Sequence, residues 1–113
     1  MTAITTHVLD LARGRPAAGL AVRLERRAGD GGWQLLGSRR TGEDGRVPEW
    51  PGAPEPARGV HRLTFATGPY FAETGTAAFY PEVSVVFDVA DAGEHHHVPL
   101  LLSPFGFSTY RGS

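Results

Sequence analysis

Five histidines are the groups in this chain best suited to move protons near neutral pH. Three are consecutive, His95-His96-His97. Side chains alternate along a strand, so His95 and His97 share a face and His96 points the other way. The triplet has three readings. His95 and His97 could hold a metal together, although a closed zinc site takes about four ligands and no carboxylate stands at an obvious ligand spacing. The triplet could be a polar strand start near solvent. One of the three, best His97 beside the apolar run Val98-Pro99-Leu100-Leu101-Leu102, could be a buried proton carrier. The chain then stops on Tyr110-Arg111-Gly112-Ser113, which would place a hydroxyl, a guanidinium fork and a carboxylate at a fixed point if the preceding strand carries it into the body of the protein.

The remaining candidates are single residues. His7 sits in Thr5-Thr6-His7-Val8-Leu9-Asp10. A strand histidine with apolar neighbours is more often a satisfied sheet residue than a catalyst. His61, between Val60 and Arg62, reads as a surface or structural residue. Arg46 follows the turn Gly42-Glu43-Asp44-Gly45. It reads either as a solvated loop residue or as a fork that clamps a planar anion or oxyanion.

Composition removes other chemistries. The chain has no cysteine, so disulfides, thiolate catalysis and cysteine metal sites are excluded. Every basic side chain is Arg, which excludes a lysine nucleophile or Schiff base. Ser108, Thr109 and Ser113 lack a Gly-x-Ser-x-Gly elbow, and there is no phosphate loop or dinucleotide fingerprint. A net charge of −1 offers no field to gather nucleic acid or an anionic membrane. No apolar run approaches the roughly 20 residues that span a bilayer. The start, Met1 to Thr6, lacks the basic and apolar regions of a signal peptide. The simplest expectation is a soluble, cytoplasmic protein.

The elements that must position these groups are short β runs. At 113 residues, 1–113 suits one domain with one core. Alternation and turn residues predict strands over Thr5–Leu9, Ala21–Arg27, Trp33–Thr41, Val60–Thr67, Val83–Val89, His95–Leu102 and Phe107–Tyr110. Gly29-Asp30-Gly31-Gly32 reads as a hairpin loop, and the stretch from Pro48 to Pro56 as a surface connection. Arg26-Arg27 and Arg39-Arg40 read as solvated edge protection. Tyr70–Ala77 is the one candidate helix, and a weak one. The pattern is that of an all-β sandwich or small barrel.

Several of these blocks together resemble the transthyretin-related proteins. They are Thr6-His7-Val8-Leu9-Asp10, Gly14-Arg15-Pro16-Ala17, Asp44-Gly45-Arg46, Phe79-Tyr80-Pro81-Glu82, the run from His95 to Pro104, and Tyr110-Arg111-Gly112-Ser113. The resemblance covers essentially the whole chain. The terminal tetrapeptide resembles the mark of the 5-hydroxyisourate hydrolases, which hormone-binding transthyretin lacks.

The resemblance implies a transthyretin-like sandwich of two four-stranded sheets with one short helix, assembled as a homotetramer with active sites in a channel between dimers. It implies hydrolysis of 5-hydroxyisourate to 2-oxo-4-hydroxy-4-carboxy-5-ureidoimidazoline in urate catabolism, without metal or cofactor. It implies catalytic roles for His7, Arg46 and His97, with Tyr110 and Ser113 joining His7 and Arg46 at the substrate. His96 stands where many relatives carry an aromatic residue. The alternative implied by the same family is a non-catalytic, transthyretin-like carrier of a small aromatic ligand.

Overall fold

The structure, a computed structural model, describes residues 4–54 and 57–113. Residues 1–3, part of the start read above for a signal peptide, and residues 55–56, the end of the proline-rich stretch, lie outside the described residues. The strands are β1 (Ile4–Asp10), β2 (Arg15–Pro16), β3 (Ala21–Arg27), β4 (Trp33–Arg40), β5 (Arg46–Val47), β6 (Gly59–Phe65), β7 (Val83–Val89), β8 (His96–Ser103) and β9 (Gly106–Thr109), with one helix, α1 (Thr67–Glu73).

Two sheets face each other. One runs β4-β3-β6-β7, antiparallel throughout. The other runs β2-β1-β8-β9, and β5 also pairs with β1. The two-residue β2 and β5 divide one edge of β1 between them: Leu9 lies opposite Pro16, and Thr6 opposite Val47. The second sheet is therefore four strands wide, as the resemblance implies, with its outermost place split in two. Strands this short escape a reading based on alternation, which needs four or more residues to register a period.

Period-2 alternation builds the core. Ile4 and Val8 on β1, Val98, Leu100 and Leu102 on β8, Val22 and Leu24 on β3, and Leu63 and Phe65 on β6 are all buried between the sheets. The same alternation decides two readings. His61 is two residues before Leu63 and points inward; it is fully buried, the structural one of its two readings. Its Nδ1 donates to the Gly59 carbonyl at 3.0 Å and its ring stacks on Phe87 at 5.9 Å. His96 is two residues before Val98 and is also buried, so the polar, solvent-facing strand start does not hold for it.

The helix begins three residues earlier than predicted and ends at Glu73. Pro69 fits the first turn, where its missing N–H is not needed. Thr67, expected to end a strand, instead opens the helix and donates to the Tyr80 carbonyl at 3.2 Å. The helix is tied to β1 by Tyr70, whose hydroxyl donates to Asp10 Oδ2 at 2.7 Å. Asp10 is buried, and its other oxygen accepts the Ala12 and Arg13 amides at 3.0 and 3.1 Å. Burial pushes the Tyr70 hydroxyl above its ordinary range, and the bond to Asp10 raises it further.

Tyr70→Phe leaves a buried carboxylate oxygen without its donor. It is expected to cost about 1–3 kcal/mol and to lower the thermal unfolding midpoint by on the order of 5 °C or more, read by circular dichroism.

Candidate active site

The first and last parts of the chain meet on the outer face of the β1–β8 pair. These strands run parallel, with Thr5 opposite His97 and His7 opposite Pro99. Thr5 and His7 share the face turned away from the core because Ile4, Thr6 and Val8 occupy the other. On the far side of β1, Arg46 lies directly opposite His7. The terminal tetrapeptide closes the arrangement. Gly112 bridges to His97, and its N–H donates to the His97 carbonyl at 2.8 Å.

Two glycines make these approaches possible. Gly45 adopts φ +78° in the turn before Arg46, and a Cβ there would collide with the Val8 carbonyl. Its own carbonyl accepts the Val8 amide at 2.8 Å, and Asp44 Oδ1 accepts the Arg46 amide at 3.0 Å. Gly112 packs flat on the catalytic candidate: a Cβ would stand 2.5 Å from His97 Cδ2. Only glycine leaves His97 its present orientation.

The result is a cavity of about 210 Å³ lined by Thr5, Arg46, His95, His97 and Ser113, with Val47 in its wall. The structure thus brings together His97, Arg46 and Ser113 from the predicted set. His7 sits beside them as the pairing partner of Arg46. Tyr110 lies elsewhere in the single chain. It is 57% exposed and lines a neighbouring cavity of about 150 Å³ with Phe87, His96 and Val98, which His97 also touches.

Hydrogen bonds fix the rings. His7 Nε2 lies 2.8 Å from the Asp44 carbonyl. A carbonyl only accepts, so Nε2 carries the hydrogen and Nδ1 keeps a lone pair in the neutral ring. His97 Nδ1 engages Thr5 Oγ1 at 2.7 Å, and His95 Nε2 engages the same oxygen at 2.8 Å. One nitrogen of each ring is thus turned to Thr5. Among the described residues no group of three or more His, Cys, Asp or Glu is placed to hold a metal.

Sequence reasoning missed Thr5 entirely and gave His95 no role beside His97 other than a shared metal or a polar strand start. The available signal was the i, i+2 spacing of Thr5 and His7. The parallel register that sets Thr5 against His97 leaves no mark in the sequence.

The lining holds one guanidinium and two imidazoles, with no Asp or Glu side chain in it. Burial pushes His97 below the ordinary imidazole value of 6.5, and the charges of Arg46, His95 and His7 push it the same way. The protonated form is the one disfavoured, so His97 is neutral at neutral pH and able to accept a proton.

A sequence model of the HIUase/Transthyretin family matches residues 4–112. This chain belongs to that family. It is 49% identical to a protein named 5-hydroxyisourate hydrolase 2 from Rhizobium meliloti, over 97% of this chain and 95% of that one. It is 45% identical to the 5-hydroxyisourate hydrolase of Caulobacter vibrioides over the whole of both chains. Among solved structures it resembles 5-hydroxyisourate hydrolase from Klebsiella pneumoniae with a TM-score of 0.83 and 36% identity, covering 97% of this chain and 98% of that one. It also resembles sea bream transthyretin in complex with thyroxine, with a TM-score of 0.91 and 30% identity, covering 97% and 94%. Backbone likeness alone therefore does not separate the proteins named hydrolase from the one in complex with thyroxine.

NMR titration of the histidines is expected to place His97 below 6.5. Arg46→Gln, which removes a facing positive charge, should move it upward. No movement would show that Arg46 does not act on the ring.

Proposed function

We propose that the protein hydrolyses 5-hydroxyisourate, opening its six-membered ring at the activated acyl–nitrogen bond to give 2-oxo-4-hydroxy-4-carboxy-5-ureidoimidazoline. The observation that carries this reading is the convergence of His97, Arg46 and Ser113, from separate parts of the chain, on one cavity beside His7. The hydrolase relatives, matched along nearly their full length, supply the substrate.

The residue types suffice for the reaction. His97, neutral and engaged through Nδ1, uses Nε2 to take a proton from water as the oxygen attacks the acyl carbon. The tetrahedral intermediate carries a negative charge on the former carbonyl oxygen. Arg46 holds that charge through its guanidinium. Collapse breaks the carbon–nitrogen bond, and the leaving nitrogen takes the proton from His97. His7, with its Nδ1 lone pair, accepts a hydrogen bond from a ring N–H or from the attacking water. The Ser113 hydroxyl borders the same space and contacts the ring. No step needs a metal or cofactor.

The cavity opens on the exposed outer face of the sheet, where a second subunit can close it. A homotetramer packed through that face accounts for this, and it accounts for Tyr110 as a substrate contact offered across subunits. The whole chain, 1–113, acts as one catalytic unit in the cytoplasm. Among the described residues no helix is long and apolar enough to cross a membrane.

The likeness to a thyroxine complex keeps one rival, a carrier that binds without turnover. Ring opening followed by ultraviolet absorbance, with substrate generated freshly from urate, separates the two. The parent protein should accelerate loss of substrate even with chelator present. His97→Ala should lose roughly 10²–10³ in turnover. Parent-like decay by His97→Ala would remove His97 from the mechanism. Gly112→Ala, which must turn the His97 ring, should cost about 10²-fold in the same assay while leaving the unfolding midpoint nearly unchanged.

A further inference from the structure

Thr5 Oγ1 lies 2.8 Å from His95 Nε2 and 2.7 Å from His97 Nδ1. A hydroxyl has one hydrogen, so it donates to one ring and accepts from the other. When Thr5 donates to His95, it accepts from His97 Nδ1–H, and His97 Nε2 keeps a lone pair: the ring is a base. When Thr5 donates to His97 Nδ1, it accepts from His95 Nε2–H, and His97 carries its hydrogen on Nε2: the ring is an acid. The two arrangements are the two roles that hydrolysis asks of His97 in succession.

We infer that Thr5 joins His97 to His95 as a proton relay, with His95 as the store for the proton removed from water. This rests on the hydrolytic reading given above. The steps balance. Water gives a proton to His97 Nε2. His97 gives its Nδ1 proton to Thr5 Oγ1, and Thr5 gives its own proton to His95 Nε2. His97 is then neutral with hydrogen on Nε2, and His95 is an imidazolium. When the leaving nitrogen takes the Nε2 proton, the three transfers run backward.

The environments of the two rings give the relay its direction. A cation on His97 would be half-buried and would face Arg46 from β5, His7 from β1 and His95 from its own strand end. His95 is exposed, so water solvates its cation. The neighbouring Glu94 is 3.6 Å from Arg111 at the surface. The relay moves positive charge from a half-buried ring to an exposed one while Arg46 holds the oxyanion.

Thr5→Val keeps the β-branched shape and removes the hydroxyl; Thr5→Ser keeps the hydroxyl; His95→Phe keeps a ring without nitrogens. Thr5→Val and His95→Phe should each lower kcat on the order of tenfold, with KM within about twofold. The double variant should be no slower than either single one, because both break the same chain of transfers. Thr5→Ser should recover most of the loss. Unchanged kcat in Thr5→Val, or multiplied losses in the double variant, would overturn the relay while His97→Ala still reports on hydrolysis separately. A readout free of turnover is ¹⁵N-histidine NMR. The His95 and His97 rings should titrate as a coupled pair in the parent and independently in Thr5→Val. Independent titration in the parent would overturn the relay even if the chain opened no ring at all.

Discussion

The parallel pairing of β1 with β8 is the constraint on which the site rests. It joins the two ends of the sequence, and its register runs unbroken from Ile4 against His96 to Asp10 against Leu102. Inside the sandwich, Thr6 Oγ1 donates to the Val98 carbonyl at 2.6 Å and is itself buried. A one-residue slip would turn Thr6 outward and carry Thr5 and His7 into the core. The apolar inward set therefore locks the polar outward set, and catalytic geometry is a by-product of core packing. Arg46 and Gly112 are added to this pair from either side, each through a glycine that permits a close approach.

The site gathers a guanidinium, imidazoles and hydroxyls around a space lined by no Asp or Glu side chain. That composition suits a reaction in which negative charge develops on an oxygen. Burial first, and the charges of Arg46, His95 and His7 after it, keep His97 uncharged. A similar backbone, with a TM-score of 0.91, is found in sea bream transthyretin in complex with thyroxine. Likeness of fold does not by itself fix function, which lives in the side chains grafted on it.

Much of this was legible in the residues. Alternation located the long strands, turn residues located Asp44-Gly45-Arg46, and the i, i+2 rule put His95 and His97 on one face. The sequence pattern did not reveal which strands would be neighbours. Parallel register is set by the whole packed sandwich, so the meeting of Thr5 with His97 had no local signature. His61, read as surface or structural, is the structural one, and His96 points away from His97 as the alternation requires; their places in the runs ending at Phe65 and Leu102 turn both inward, which rules out a solvent-facing strand start for His96. Tyr110 was expected at the substrate, yet it follows β9 at a point where the chain leaves the sheet, and in a single subunit it borders the adjacent cavity.

One of those inward imidazoles, His61, leaves its mark on how the protein tolerates acid. His61 Nε2 and His96 Nδ1 are buried with no partner among the described residues. Burial, the largest influence on His61, holds it below 6.5. An unfolded chain would take up a proton there that the folded one refuses, so the contribution is intact above that value and erodes as the solution grows more acidic. The sandwich thus carries a built-in preference for neutral or alkaline surroundings, set by a residue that never meets the substrate.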